Sequence, residues 1–445
     1  SMLMTHWIDS AIFWHIYPLG FVGAEQQAHA GIHHRLRHIV DWLDYAVVLG
    51  VSGLLVGPIF ASSTHGYDTI DHFRIDPRLG DDGDFNQLVM EAQRRGLKVI
   101  LDGVFNHVGR DFPLFRAALE NGTPSREAGW FRWLGGEDDR GCPAYATFEG
   151  HHALVALNHD SSDVAAYVAN VMNHWLDRGA SGWRLDAAYA VPRPFWKTVL
   201  ADVRRRHPDA YLFGEVIHGD YNGFVTATGV DAVTQYELWK AIWSAINDCN
   251  LFELQWALER HNGFMERFVP LTFVGNHDVT RLASRLADER HIAHALAILM
   301  TVGGTPAIYA GDEQAFRGVK ENRAGGDDAI RPVFPARPEE LAPFGWPTYR
   351  LHQQLIGVRR RHPWLVRAKS RKIHLTARQA VWAMEANNKT ILVALNLHDC
   401  DAILPAPDAK NVLAGTAAAI TTELGRSTSI RLAGYGWAVL STEKQ

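Results

Sequence analysis

The chain has 445 residues, with 44 Lys and Arg against 49 Asp and Glu and a formal net charge of −5. Hydrophobic residues make up 47% of the sequence and charged residues 21%, so the chain can bury a large core and is neither disordered nor collagen-like. The slight acidic excess is untypical of a dedicated nucleic-acid-binding protein, and we expect no nucleic-acid partner. The length fits one large α/β barrel with a small appendage, or two to three ordinary domains.

Cysteine use and the N-terminal sequence indicate a cytoplasmic protein. Cys142, Cys249 and Cys400 lie far apart and form neither a disulfide framework nor a zinc pattern, which favours a reducing compartment. The N-terminus has polar residues where a signal peptide would need an apolar stretch, and the most apolar run, around 295–300, is too short to span a bilayer. We therefore expect no membrane partner, and the oligomeric state stays open.

Helical and strand-like patterns alternate along most of the chain. In 84–104, apolar residues first recur at helical spacing, Gly96 is a natural helix terminator, and a continuous apolar run follows, like a strand covered on both faces. The same order repeats, with a single helix predicted at 36–49. It predicts eight strands, near residues 12, 51, 98, 182, 211, 231, 271 and 306.

Eight strands that alternate with helices predict a (β/α)8 TIM barrel in the α/β class, and periodicity leaves a doubly wound open sheet as the alternative. About 80 residues separate the third strand from the fourth, against roughly 30 in a βαβ unit. We therefore expect a barrel of residues 1–107 and 158–365, with an inserted subdomain at 108–157 over its mouth. Alternating strands predict a C-terminal antiparallel β-sandwich at 366–445.

Carboxylates and basic residues follow the predicted strands at the barrel end where catalytic residues lie. These residues are Asp102, Asn106 and His107 after strand three, Arg184 and Asp186 on strand four, Glu215 on strand five, and His277 and Asp278 after strand seven. A single Asp at a strand end is more often a helix cap or a surface residue. Several carboxylates at one rim indicate a catalytic site.

The neighbours of two carboxylates predict opposite protonation states. Arg184 lies two residues before Asp186, so both side chains point to one face of the strand, and the guanidinium is expected to keep Asp186 ionised, as a nucleophile requires. Glu215 follows the apolar run 211–214, where burial would raise its pKa and suit a proton donor.

Seven motifs in order make the chain resemble the α-amylase family of glycoside hydrolases over nearly its whole length. Four are barrel-strand motifs: 102–107 (Asp-Gly-Val-Phe-Asn-His), 182–187 (Gly-Trp-Arg-Leu-Asp-Ala), 214–216 (Gly-Glu-Val) and 274–278 (Val-Gly-Asn-His-Asp). The other three are 66–68 (Gly-Tyr-Asp), 157–158 (Leu-Asn) and 303–306 (Gly-Gly-Thr-Pro). Each motif alone is a weak signal, whereas all seven at barrel spacing are specific.

The resemblance implies roles for a set of site residues. Asp186 would be the nucleophile, Glu215 the general acid/base, and Asp278 a group that binds sugar hydroxyls and stabilises the transition state. Tyr67 would stack on the sugar next to the scissile bond, and hydroxyls of that sugar would be held by Asp68, His107, Arg184, His277 and Arg281. A retaining mechanism of this kind needs two carboxyls about 5 Å apart, one ionised and one protonated.

The chain departs from the family pattern in two places. Many calcium-dependent amylases have Lys-His three and four residues after the nucleophile, where this chain has Tyr189 and Ala190. We therefore predict no metal and no other cofactor. The sequence leaves two alternatives for the Asn106 side chain, a calcium ligand or a hydrogen-bonded buried amide. The strand-four and strand-five motifs resemble those of cyclomaltodextrinase- and neopullulanase-like members, but the first strand begins near Ile12, so we expect a member without their extra N-terminal domain.

The predicted function is retaining hydrolysis of α-glucosidic bonds. The expected substrates are maltooligosaccharides or related dextrins cut at α-1,4 bonds, and an oligosaccharide is the expected partner. A transglycosylase, which passes the glucosyl unit to another sugar, has the same machinery and is the first alternative. A non-catalytic binding barrel is a weaker alternative, because the chain keeps Asp186, Glu215 and Asp278.

Overall fold

Eight short parallel strands form the centre of the structure, a computed structural model that describes residues 6–417, 420–423 and 426–443. The strands are β1 (Phe13–Ile16), β2 (Gly53–Val56), β3 (Lys98–Gly103), β4 (Gly182–Leu185), β5 (Tyr211–Gly214), β6 (Ala232–Val233), β7 (Leu271–Thr272) and β8 (Thr305–Tyr309). They lie at the eight predicted positions. Almost all of their residues are buried, because helices cover the outside of the barrel and side chains fill its inside.

The order of the strands confirms the predicted TIM barrel and excludes the open sheet. Neighbours run β6-β5-β4-β3-β2-β1-β8-β7, and each pair is parallel. A parallel bridge between Thr234, just after β6, and Leu271 of β7 closes the ring. The carboxyl ends of all eight strands therefore meet at one rim.

The register between β4 and β5 sets two carboxyls side by side. Leu185, the last residue of β4, lies opposite Gly214, the last residue of β5. The next residues along the chain are Asp186 and Glu215, so both side chains leave the barrel at the same level of the rim.

Helices alternate with the barrel strands, and one of them, Pro113–Asn121, lies in the long segment between β3 and β4. They are Pro18–Phe21, Leu36–Val40, Leu43–Leu49, Asp82–Arg94, Pro113–Asn121, Ser162–Asp177, Arg193–Arg206, Tyr221–Thr228, Tyr236–Asn247, Leu251–Phe264, Leu282–Arg285, Ile292–Thr301 and Trp346–Arg361. The single helix predicted at 36–49 is two helices, because the hydrogen-bond pattern tightens between them: the Trp42 N–H donates to the Ile39 carbonyl, three residues back, at 3.0 Å. The buried Trp42 indole donates a hydrogen bond to the Pro335 carbonyl at 3.1 Å. Among the described residues, every helix is too short or too polar to cross a membrane.

The segment between β3 and β4 forms the predicted inserted subdomain, which we call the lid (residues 108–157). Its elements are the helix Pro113–Asn121 and the strands His107–Gly109, Trp133–Glu137, Pro143–Tyr145, Thr147–Phe148 and His151–Ala156. The strand His107–Gly109 follows β3 closely and pairs with His151–Ala156, which pairs in turn with Thr147–Phe148. This sheet therefore anchors the lid at the barrel rim.

Two antiparallel sheets follow the last barrel helix and confirm the predicted C-terminal β domain. One sheet has the strands Lys369–Leu375, Gln379–Ala386, Lys389–Asn396, Trp437–Ser441 and Asn411–Gly415, and the other has Ala402–Pro405, Arg426–Leu432 and Ile420–Glu423. Apolar residues of both sheets, such as Val381 and Leu404, share one buried core. Four of these strands were predicted from the sequence, and an edge strand such as Lys369–Leu375 was missed because it is half-buried without a clear alternation.

Arg281 has a different position from the one that the resemblance implies. Its side chain is fully buried, and Nη1 donates a hydrogen bond to the Asp312 carboxylate at 3.0 Å. Nη2 donates to the backbone carbonyls of Ala310 and Ile330 at 3.0 and 3.3 Å. Arg281 therefore ties the loop after β7 to the loop after β8, and in this position it cannot hold a sugar hydroxyl.

This position predicts a structural role for Arg281 that unfolding experiments can test. We expect Arg281→Met to lower the free energy of unfolding by about 3–5 kcal/mol, because the buried Asp312 carboxyl loses its cation. The control is Arg35→Met, which removes a more solvated pair with Glu25 and should cost about 0–1 kcal/mol. Urea denaturation measures both variants. Equal stability of the two variants would contradict the structural role.

Candidate active site

The guanidinium of Arg184 lies at the centre of three carboxyls that come from three neighbouring strands. Nη1 donates to Asp102 of β3 at 2.8 and 3.0 Å and to Asp186, after β4, at 3.1 Å. Nη2 donates to Glu215, after β5, at 3.0 Å. All four side chains are buried. Asp186 and Glu215 thus contact adjacent nitrogens of one planar group.

Burial sets the pKa values of the three carboxyls around Arg184. Burial raises the pKa of Asp186 well above its usual range, and the nearby Glu215 carboxyl raises it further. Burial also raises the pKa of Glu215 and that of Asp102. Arg184 lowers the pKa of Asp186, as the sequence analysis expects, but in the free site burial and Glu215 act against it. That Asp186 is ionised stays a prediction.

A strained residue links the two carboxyls. Ala187, which follows Asp186, has φ of +45°, in the left-handed region that non-glycine residues rarely adopt. In this conformation its backbone N–H donates a hydrogen bond to Glu215 Oε1 at 2.8 Å. Strain of this kind is held by the surrounding structure and is common at functional sites.

Tyr67 and His277 form the other wall of the cluster. The Tyr67 hydroxyl donates to Asp102 at 2.9 Å and accepts from His277 Nε2 at 2.5 Å, and the two rings stack with centroids 5.6 Å apart. Burial lowers the pKa of His277 well below its usual range, so the imidazole is neutral. The Nδ1 atom of His277 is buried and has no hydrogen-bond partner among the described residues.

Asp278 lies next to His277 and is bound by an arginine that the sequence analysis missed. Arg331 donates to Asp278 at 3.0 Å and to the His277 carbonyl at 2.9 Å, and its guanidinium lies 4.4 Å from the centre of the Tyr17 ring. The Asp278 side chain is 33% exposed and therefore faces the open mouth of the barrel. Arg331 lies 53 residues after Asp278, on a loop without periodic pattern, so spacing gave no signal for it.

The last two predicted residues lie at the edge of this cluster. The His107 ring stacks on Phe148 of the lid, with centroids 4.7 Å apart, and burial lowers its pKa to about 3. Asp68 is buried, and its carboxylate accepts hydrogen bonds from the backbone and the hydroxyl of Thr64 at 3.1 and 2.5 Å. Asp68 therefore braces the loop that carries Tyr67.

Two residues at the family's calcium position make hydrogen bonds within the protein. Calcium binds six to eight oxygen ligands, with carboxylates prominent among them. The Asn106 amide instead donates to the His107 ring at 3.0 Å, and the Tyr189 hydroxyl donates to Glu149 of the lid at 2.6 Å. Asn106 is buried and is hydrogen-bonded through its amide nitrogen.

Comparisons with known proteins identify the family. The sequence matches the family described as Alpha amylase, catalytic domain, over residues 15–380. A cyclomaltodextrinase of Bacillus sp is 31% identical over 418 residues, which cover 88% of this chain and 73% of the relative. Neopullulanase 2 of Thermoactinomyces vulgaris is 31% identical over 404 residues, which cover 85% of this chain and 67% of the relative. The native debranching enzyme of Nostoc punctiforme aligns with a TM-score of 0.86 and 25% identity over 99% of this chain and 100% of its own. The chain belongs to the α-amylase family of glycoside hydrolases.

Proposed function

We propose that this protein hydrolyses α-glucosidic bonds of maltooligosaccharides or related dextrins with retention of the anomeric configuration. The observation that carries the proposal is the position of Asp186 and Glu215 on adjacent nitrogens of the Arg184 guanidinium. This common partner favours the short separation of about 5 Å that retaining enzymes have over the wider spacing of inverting enzymes.

The two carboxyls divide the reaction between them. Asp186, as carboxylate, attacks the anomeric carbon, while Glu215 gives its proton to the departing glycosidic oxygen. Glu215 then takes a proton from water, which opens the covalent intermediate and restores the original configuration. The raised pKa of the buried Glu215 supports its role, because an acid must still hold its proton near neutral pH.

The remaining residues hold the sugar in place. Tyr67 offers a ring face beside Asp102, and the His277 ring stacks against the Tyr67 ring with centroids 5.6 Å apart. Asp278, exposed at the mouth and fixed by Arg331, is placed to accept hydroxyl hydrogen bonds that strengthen in the transition state. His107 lines the lid side of the same sugar.

The names of the relatives support the class of substrate. The two sequence relatives are named for cyclomaltodextrin and pullulan, and the structural neighbour is named as a debranching enzyme. Together these names favour α-glucans as substrates and α-glucosidic bonds as the bonds cleaved. Chain length and the α-1,4 preference are part of the proposal.

The proposal predicts the effect of near-isosteric changes at the three carboxyls. Asp186→Asn, Glu215→Gln and Asp278→Asn should each lower kcat on maltotetraose by roughly a thousandfold or more, while unfolding free energies stay within about 1 kcal/mol of the parent value. Asp401→Asn, an exposed carboxyl of the C-terminal domain, is the control and should keep full activity. In the parent protein, NMR should detect the α-anomer as the first product. Near-normal turnover in the Asp186 variant, or β-anomer as the first product, would overturn the mechanism.

The residues after the nucleophile give an independent prediction. Activity on maltotetraose should survive EDTA followed by desalting, because Tyr189 and Ala190 replace the Lys-His pair of calcium-dependent members. A calcium-dependent α-amylase treated in parallel should lose activity. Loss of activity here, restored by added calcium, would contradict this account of the site.

A further inference from the structure

A hydrogen bond joins the nucleophile loop to the lid. Tyr189 lies three residues after Asp186, in the short turn Ala188–Ala190, and its hydroxyl donates to Glu149 Oε1 at 2.6 Å. Glu149 is exposed at the tip of the lid hairpin between Thr147–Phe148 and His151–Ala156. We call the Tyr189–Glu149 hydrogen bond the clasp.

The lid end of the clasp lies on strained backbone. Glu149 and Gly150 have φ of +50° and +77°, the pattern of a two-residue type I′ hairpin, in which Asn, Asp or Gly is preferred at the first position. A Glu at this position adopts a left-handed conformation that costs free energy. Strain of this kind is common at functional sites.

The clasp lies on the Glu215 side of the site. The turn Ala188–Ala190, which carries Tyr189, packs on the side of β5, the strand that Glu215 follows. The Ala187 N–H, just before this turn, donates to Glu215 Oε1 at 2.8 Å, and the Ala188 side chain lies against Gly214 at the end of β5. Since the general acid protonates the oxygen of the leaving sugar, this sugar must lie on the same side.

The Tyr189 ring is available to a ligand. It is 40% exposed and lies 6.4 Å from the Phe148 ring, which stacks on His107. These rings form a wall along the lid edge of the mouth. The flat C–H face of a glucose unit suits such an aromatic surface, and a ring held by its hydroxyl loses little freedom on binding.

We propose that the clasp closes the lid over the leaving-group side of the scissile bond and presents the Tyr189 ring to the first leaving glucose unit. This inference rests on the proposed hydrolysis of α-glucans and adds to it the residue pair that binds the leaving sugar. Substrates with a sugar leaving group gain this contact, and substrates with a small leaving group do not.

Two substrates separate the clasp from the rest of the site. Maltotetraose carries sugar on both sides of the bond, whereas the leaving group of α-maltosyl fluoride is a single atom. Tyr189→Phe and Glu149→Gly each remove the hydrogen bond and should raise KM for maltotetraose about three- to tenfold, with kcat changed less than about twofold. The double variant should equal either single variant, because both remove the same contact. Tyr189→Ala also removes the ring and should raise KM more than about tenfold.

The controls exclude a general loss of structure. All variants should turn over α-maltosyl fluoride at the parent rate, and Glu149→Gly should be no less stable than the parent, because glycine accepts the left-handed turn without strain. Asp408→Gly, an exposed acidic residue with φ of +62° in the C-terminal domain, relieves the same strain elsewhere and should leave both substrates unaffected.

The outcomes distinguish this inference from the proposed function. The clasp is overturned if Tyr189→Ala leaves the KM for maltotetraose unchanged, or if the variants lose equal activity on both substrates. In either case, hydrolysis by the parent protein still upholds the proposed function. A parent protein that cleaves neither substrate overturns the proposed function and the clasp with it.

Discussion

The arrangement of the rim depends on one guanidinium that balances three buried carboxyls. Each partner of Arg184 comes from a different strand end, so the contacts at 2.8 to 3.1 Å require the barrel register to be correct at β3, β4 and β5 together. A buried charge without its partners costs several kcal/mol. Arg184 therefore couples the closure of the barrel to the assembly of the site, and burial raises the pKa of Asp186 and that of Glu215.

Burial strengthens the charge interactions in this cluster, and the elements above the rim exclude water from it. The stacked rings of Tyr67 and His277 cover one side, and the lid covers the other through the stack of Phe148 on His107. Excluding water strengthens each charge interaction inside the site. The left-handed conformation of Ala187 costs free energy, and in this conformation its backbone N–H is directed to Glu215.

The sequence predicted what depends on local pattern and failed where distant segments meet. The eight strands follow from apolar runs and helix terminators, and the cluster residues follow from their positions at strand ends, so the barrel and most of the site were predictable. The roles of Arg281 and Arg331 were not, because each depends on contacts of the loop after β8, which has no periodicity. The raised pKa of Asp186 was also missed, because the adjacent Arg184 predicted a lowered pKa and only the fold shows that the carboxyl is buried beside Glu215.

The assignment of Asp186 as nucleophile and Glu215 as acid/base has one direct test, the configuration of the product that azide forms with each truncated variant. With α-maltosyl fluoride as substrate, Asp186→Gly removes the first inversion, so azide should displace fluoride once and give the β-glycosyl azide. Glu215→Ala leaves the nucleophile in place, and the activated substrate needs little acid help, so azide should open the covalent intermediate and give the α-glycosyl azide. The α-azide from the Asp186 variant, or the β-azide from the Glu215 variant, would contradict the assignment.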